Sequence, residues 1–120
     1  MAFDQVSQLP IEVHTLGIEP VVSLSAVSAV GGGSTLDGAV VRSTAVLAVT
    51  TSAGVSAGAV QLQGSLDGSH WFNLGSAQST TTASTTTQTV VSSAAARYVR
   101  AAITTAITGG TVTAWVGLSG

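Results

Sequence analysis

The chain has no cysteine and no lysine, two prolines and only 7% charged residues among its 120 positions. Each shortage removes a class of function. Without cysteine there is no disulfide framework, no thiolate nucleophile and none of the usual structural zinc sites. The three basic residues, Arg42, Arg97 and Arg100, form no basic run on which phosphate-driven nucleic-acid binding could rest. The two histidines, His14 and His70, and the five scattered acids show no metal-ligand spacing, so neither a metal nor a cofactor is expected.

Apolar residues make up 45% of the chain, but the set is mostly alanine and valine, and aromatics reach only 4%. An average soluble domain carries roughly 25% charge, so here the polar exterior must come from Thr, Ser, Gly and Gln. Such a neutral surface is poorly protected against self-association, which leads us to expect that other subunits cover much of it. The start, Met1-Ala2-Phe3-Asp4, has no cationic segment and predicts no secretory signal. Val21 to Val30 is interrupted by serines and too short to span a bilayer. A soluble protein made in the cytoplasm is expected.

The clearest local signal is Val60 to Leu74, two alternating runs around Asp67-Gly68. An Asp-Gly pair between alternating apolar residues is the strongest short hairpin signal, because glycine accepts the positive φ of the turn. A two-residue loop would put Leu62 opposite Asn73 and mix both faces. A three-residue loop of Leu66, Asp67 and Gly68 pairs Val60 with Leu74 and Leu62 with Phe72, leaving one face wholly apolar. It sets Gln61 opposite Asn73 and Gln63 opposite Trp71. A one-residue slip turns every side chain over, so this second register is expected, with Phe72 inward and Trp71 outward.

Residues 1–19 hold three of the five acids and show weak periodicity, which reads as an extended N-terminal arm. Ile11, Val13 and Leu16 suit a short strand, while Phe3, Val6 and Leu9 have no local core to enter. The remainder, residues 20–120, reads as one β-sandwich domain. Val21 to Val30 alternates imperfectly and ends in Gly31-Gly32-Gly33, expected to be a flexible loop; no Gly-Lys-Ser/Thr follows, so a phosphate loop is unsupported. Asp37-Gly38 is expected to be a turn into a central strand over 39–51, apolar on both faces. The Thr-rich tract from Gln78 to Thr87 has good β propensity, and its second half continues into a strand with Gln88 to Val91.

Farther on, Val99, Ala101 and Ile103 face one way and Tyr98, Arg100, Ala102 and Thr104 the other. After Gly109-Gly110, Val112, Ala114, Val116 and Leu118 face inward with Thr113 and Trp115 outward. About seven or eight short strands without helical periodicity predict an all-β protein, an antiparallel β-sandwich or jelly roll.

Catalytic candidates are few. Ser65 or Ser69 with Asp67 and His70 supplies the residue types of an acyl-transfer triad, but neighbours on one tight turn cannot converge as that chemistry needs, so no enzyme is expected. Arg97 and Arg100, three apart on a strand, should point to opposite faces. One is expected to pair with Asp37 or Asp67. Trp71, Tyr98 and Trp115 all fall on the non-core side. They fit a small cluster beneath the arm, an interface anchor or a platform for stacking sugar.

Two resemblances bear on these residues. The segment Gly64-Ser65-Leu66-Asp67-Gly68-Ser69-His70-Trp71, followed by Ala96-Arg97-Tyr98-Val99-Arg100, resembles the paired signature of discoidin-type, galactose-binding-like jelly rolls. That resemblance implies a hairpin between sandwich strands and a core strand with a structural arginine; it says little about the ligand, because the family's binding loops lie elsewhere. The whole chain, cysteine-free, rich in Ala, Thr and Gly, and ending in Gly109-Gly110-Thr111-Val112-Thr113-Ala114, resembles small virion proteins of tailed bacteriophages, especially head decoration proteins. In those, a sandwich sits on the capsid lattice, often as a trimer, and a terminal arm reaches the shell or a neighbour.

The second resemblance accounts for the sparse charge and the arm, which glycan binding does not. The expected function is therefore that of a capsid decoration protein on the virion surface, a homo-oligomer bound to the major capsid protein. The candidate interface is Phe3, Val6, Leu9, Trp71, Tyr98, Arg100 and Trp115. A tail or head-tail component and a carbohydrate-binding module are the alternatives.

Overall fold

Alternating apolar residues become strands wherever a second sheet is available to bury one of their faces, and here they do so along nearly the whole chain. The computed structural model describes residues 17–120. Phe3, Val6, Leu9, the strand expected near Ile11 and Val13, and His14 lie outside the described residues. The strands are β1 (Gly17–Val27), β2 (Gly31–Gly32), β3 (Leu36–Arg42), β4 (Thr44–Thr51), β5 (Ala57–Ser65), β6 (Trp71–Ser79), β7 (Thr86–Val91), β8 (Ala96–Thr108) and β9 (Val112–Ser119). β1 thus begins inside the segment assigned to the arm.

All pairings are antiparallel and form two sheets. The four-stranded sheet has the order β1-β9-β4-β7; in the five-stranded sheet, β2 and β3 share one edge of β8, which continues to β5 and β6. The expected all-β sandwich is what the chain forms. Between the sheets, Leu47, Val49, Val60, Leu62, Val99, Ile103, Val112 and Val116 are fully buried. Each such side chain contributes roughly 1.5–3 kcal/mol relative to exposure. Ala45, Ala96, Ala101 and Ala114 are also fully buried and keep side-chain bulk between the layers small.

Several expectations are corrected. The run 39–51 is not one central strand: it turns a corner at Ser43, so β3 lies in the five-stranded sheet and β4 in the other. Val40 and Val41 bulge outward and are exposed, whereas β4 alternates strictly. Asp37-Gly38 is not a turn between strands. Asp37 pairs with Tyr98 within β3, and its Oδ1 accepts the Ala39 amide at 2.8 Å where that residue takes a φ of 69°. With this corner and the short strand at Gly31–Gly32, the described residues hold nine strands.

The glycine triplet is also packed rather than a loose loop. Gly31 and Gly32 pair with Ile103 and Ala102, and a Cβ on Gly32 would lie 2.4 Å from Arg100 Nη1. Ser23 locks this edge to the opposite sheet: its hydroxyl donates to the Ser34 carbonyl at 2.7 Å and accepts the Ala101 amide at 2.8 Å.

The hairpin has a five-residue loop, Leu66 to His70, instead of three residues. Ser65 pairs with Trp71, Gly64 with Phe72, Gln63 with Asn73 and Leu62 with Leu74. The parity is the expected one, so Trp71 remains outward. Phe72, however, shares the inner side with Gly64 at the open end of the sandwich and stays 40% exposed. Gln61 does not join the polar outer face. It is buried at the irregularity between Val60 and Leu62, where its Nε2 reaches the carbonyls of Leu62, Leu74 and Gly75 at 2.9, 3.1 and 3.2 Å.

Candidate functional site

On the outer face of the five-stranded sheet, neighbouring strands bring Arg100, Gln63, Asn73, Trp71 and Tyr98 together. Gln63 stands opposite Arg100 on β8 and Asn73 on β6, and Ser65 stands opposite Tyr98 and Trp71. The Arg100 guanidinium donates from Nε to Gln63 Oε1 at 2.9 Å, and its carbon lies 4.3 Å from the centroid of the Trp71 ring. Gly32 leaves the space that this guanidinium occupies. Burial pushes the Arg100 pKa down from its ordinary value.

Arg97 was expected on the face opposite Arg100. Instead Arg97 and Tyr98 are two half-exposed residues in succession between fully buried Ala96 and Val99, which breaks the alternation. The Arg97 guanidinium grips Asp37 with two bonds, 2.9 Å from Nε and 3.2 Å from Nη2, and lies 4.9 Å from the Tyr98 ring centroid. The hydrogen bond from Arg97, supported by the Ala39 amide, lowers the Asp37 pKa, and the Asp37 hydrogen bond raises that of Arg97. The pair is the arginine–aspartate partnership expected from the sequence.

At the tip of the hairpin, Asp67 organises the loop. Its Oδ1 accepts the amides of Ser69 and His70 at 2.8 and 2.9 Å and the Ser65 hydroxyl at 3.0 Å; its Oδ2 lies 2.7 Å from His70 Nδ1. Those bonds, the His70 amide foremost, hold its pKa well below the usual carboxylate range. Ser65 also accepts the amides of Asp67 and Gly68. Asp67 therefore sits between Ser65 and His70, and Ser65 is completely buried. Acyl transfer needs an accessible serine with the imidazole in the middle, so this cluster serves the turn.

Trp115 lies on the other side of the molecule. On the outer face of the four-stranded sheet it stands opposite Val22 and Ala48, and Ala48 opposite Gln88; in the next row Val46 stands opposite Gly117 and Val90. Trp115, Val46, Ala48, Gln88, Gly117 and Pro20 border an open groove of about 390 Å³. Trp115 is 37% exposed, Val22 43% and Val90 57%. β4, β7 and β9 contain no charged residue, and β1 contains only Glu19.

The structure therefore brings Trp71, Tyr98 and Arg100 to one face and leaves Trp115 on the opposite one. A single cluster of the three aromatics beneath the arm does not form. Sequence reasoning did not single out Gln63, Asn73, Val22, Val46 or Val90. The outward-facing Val46 and Ala48 in the strand that was apolar on both faces were the available signal. Among the described residues no group of three or more His, Cys, Asp or Glu is placed to hold a metal ion, and no helix is long and apolar enough to cross a membrane.

Comparison with protein-family models finds no match for this chain. Comparison with curated protein sequences finds none either. Among solved structures, the chain is similar in fold to the crystal structure of SPBc2 prophage-derived protein YomS, with a TM-score of 0.59 and 13% sequence identity over 84% of this chain and 92% of that one.

Proposed function

We propose that the protein is a non-enzymatic structural component of a bacteriophage virion, specifically a capsid decoration protein that binds the major capsid protein lattice as a homo-oligomer. The observation that carries this reading is the Trp71–Arg100 stack, held by Gln63 on the outer face of the five-stranded sheet. Trp and Arg are the residue types that anchor protein interfaces, and fixing them before binding reduces the ordering cost. The fold likeness to a prophage-derived protein supports a phage source. The strand order, β1-β9-β4-β7 facing β2/β3-β8-β5-β6, supports a jelly roll, an architecture of viral capsid and lectin domains. A protein that binds only the assembled shell stabilises it by mass action. A tail or head-tail position is the near variant of the same reading.

The carbohydrate-binding alternative is weaker on geometry. A sugar stacks on a free aromatic face, and the Arg100 guanidinium lies over Trp71, while Trp115 sits in a largely apolar groove. Co-sedimentation with capsids assembled without this protein tests the proposal. Binding by the intact protein, lost in Trp71→Ala and in Arg100→Ala, is expected. A monomer retained on a glycan column but not by capsids would sink the reading.

A further inference from the structure

The Trp71–Arg100 stack on the outer face of the five-stranded sheet leaves part of its guanidinium unspent. We propose that Arg100 receives a carboxylate side chain of the capsid partner, end-on through Nη1 and Nη2, so that the docking face selects an acidic residue on the shell. The proposal rests on the virion reading and adds the chemistry of the partner.

The donors of the guanidinium are the first reason. Its Nε–H goes to Gln63 Oε1 at 2.9 Å. Among the described residues, Nη1 and Nη2 meet no acceptor and Arg100 meets no carboxylate. Burial lowers the Arg100 pKa with no anion to offset the lost hydration. The second reason is the contrast with the other two arginines. Arg97 is held by Asp37 through two bonds, and Arg42 is buried with its Nε on the Gly38 carbonyl. Arg100 is thus one fixed cation on a neutral surface, which matches one carboxylate, whereas a phosphate-rich ligand would need further cations beside it. The third reason is preorganisation. Trp71 lies against the guanidinium, Gln63 fixes its Nε, and Gly32 leaves open the space that a Cβ would take from Nη1. The fork is set before the partner arrives, which lowers the ordering cost of a bidentate pair. The source of the acid follows from the carboxylates of this chain. Asp37 holds Arg97 and Asp67 holds its own loop amides, so of the described carboxylates Glu19 alone is left for a second copy to offer. That favours a different protein as the donor of the acid.

Capsids assembled without this protein are the probe, with binding read by co-sedimentation over a range of protein and salt concentrations. Arg100→Gln and Arg100→Lys should each weaken binding by roughly tenfold or more, because lysine keeps the charge and loses the fork. Arg100→Gln should also flatten the salt dependence. Coupling the capsid carboxylates to glycinamide with a carbodiimide, with particle integrity checked by electron microscopy, should weaken binding of the parent protein strongly and that of Arg100→Gln far less. Equal weakening of both proteins by that treatment overturns the proposal, as does full binding by Arg100→Gln or Arg100→Lys; each of these results leaves the virion reading standing. A parent protein that binds no capsids overturns the virion reading and the proposal with it. A changed sedimentation coefficient of the free protein on Arg100→Gln would place the carboxylate on a second copy and overturn the capsid as its source.

Discussion

Arg100 on β8 reaches across β5 to place its guanidinium over the Trp71 ring on β6, with Gln63 of the intervening strand accepting its Nε–H. Three strands of one sheet are thereby coupled through a single half-exposed side chain. A double-mutant cycle of Arg100→Ala and Trp71→Phe should give a coupling of about 0.5–1 kcal/mol by urea unfolding. Gly32→Ala should unseat the same guanidinium, since its Cβ would approach Arg100 Nη1 to 2.4 Å. The expected readout is a changed Trp71 emission in a Trp115→Phe background with only a small loss of stability.

Gln61 is a buried amide whose hydrogens are spent on the carbonyls at the β5–β6 irregularity. Gln61→Leu keeps the bulk but strips those carbonyls of their partner, so a loss of about 1–3 kcal/mol is expected in chemical denaturation. An unchanged midpoint would show that the carbonyls find other partners.

Ser23 joins the two sheets through one hydroxyl. Ser23→Ala leaves the Ala101 amide and the Ser34 carbonyl without that partner and should cost about 1–3 kcal/mol. Amide hydrogen exchange at Ala101 should accelerate more than at Val99. Equal acceleration at both would indicate global destabilisation instead of a lost local lock.

Asp67 predicts an acid-sensitive hairpin. Its folded pKa is depressed below the ordinary value of 3.8, so its stabilising effect is fully present above that value and fades as pH falls through the lower folded one. Asp37, depressed by Arg97, adds a loss of the same sign. The Tm of the parent protein should therefore fall from about pH 5 downward. Asp67→Asn should have a lower Tm at neutral pH and a shallower acid slope, and identical slopes would count against the Asp67 network.

The sandwich was legible because alternation is a local property: β8 and β9 bury the very residues whose spacing suggested it, and Tyr98, Arg100, Trp71 and Trp115 point away from the core as expected. What sequence could not supply was the chemistry of the turns. The register argument assumed that Leu62 needs an apolar partner in Phe72. In the structure the Ser65 hydroxyl and Asp67 carboxylate together satisfy the loop amides, lengthening the loop and bringing Leu62 opposite Leu74. The corner at Ser43 was hidden because β3 and β4 abut without a turn signal. Which outward aromatics share a face depends on sheet membership, so the separation of Trp115 from Trp71 required the three-dimensional fold.

β9, the last strand, lies between β1 and β4, with Ser119 paired to Gly17. The four-stranded sheet therefore has a gap in its middle until β9 docks between β1 and β4. β9 must be in place before the hydrophobic interior can be sealed, so the sandwich cannot close strand by strand from β1. Closure over nearly the full chain length places refolding in roughly the millisecond-to-second range, which stopped-flow fluorescence would measure.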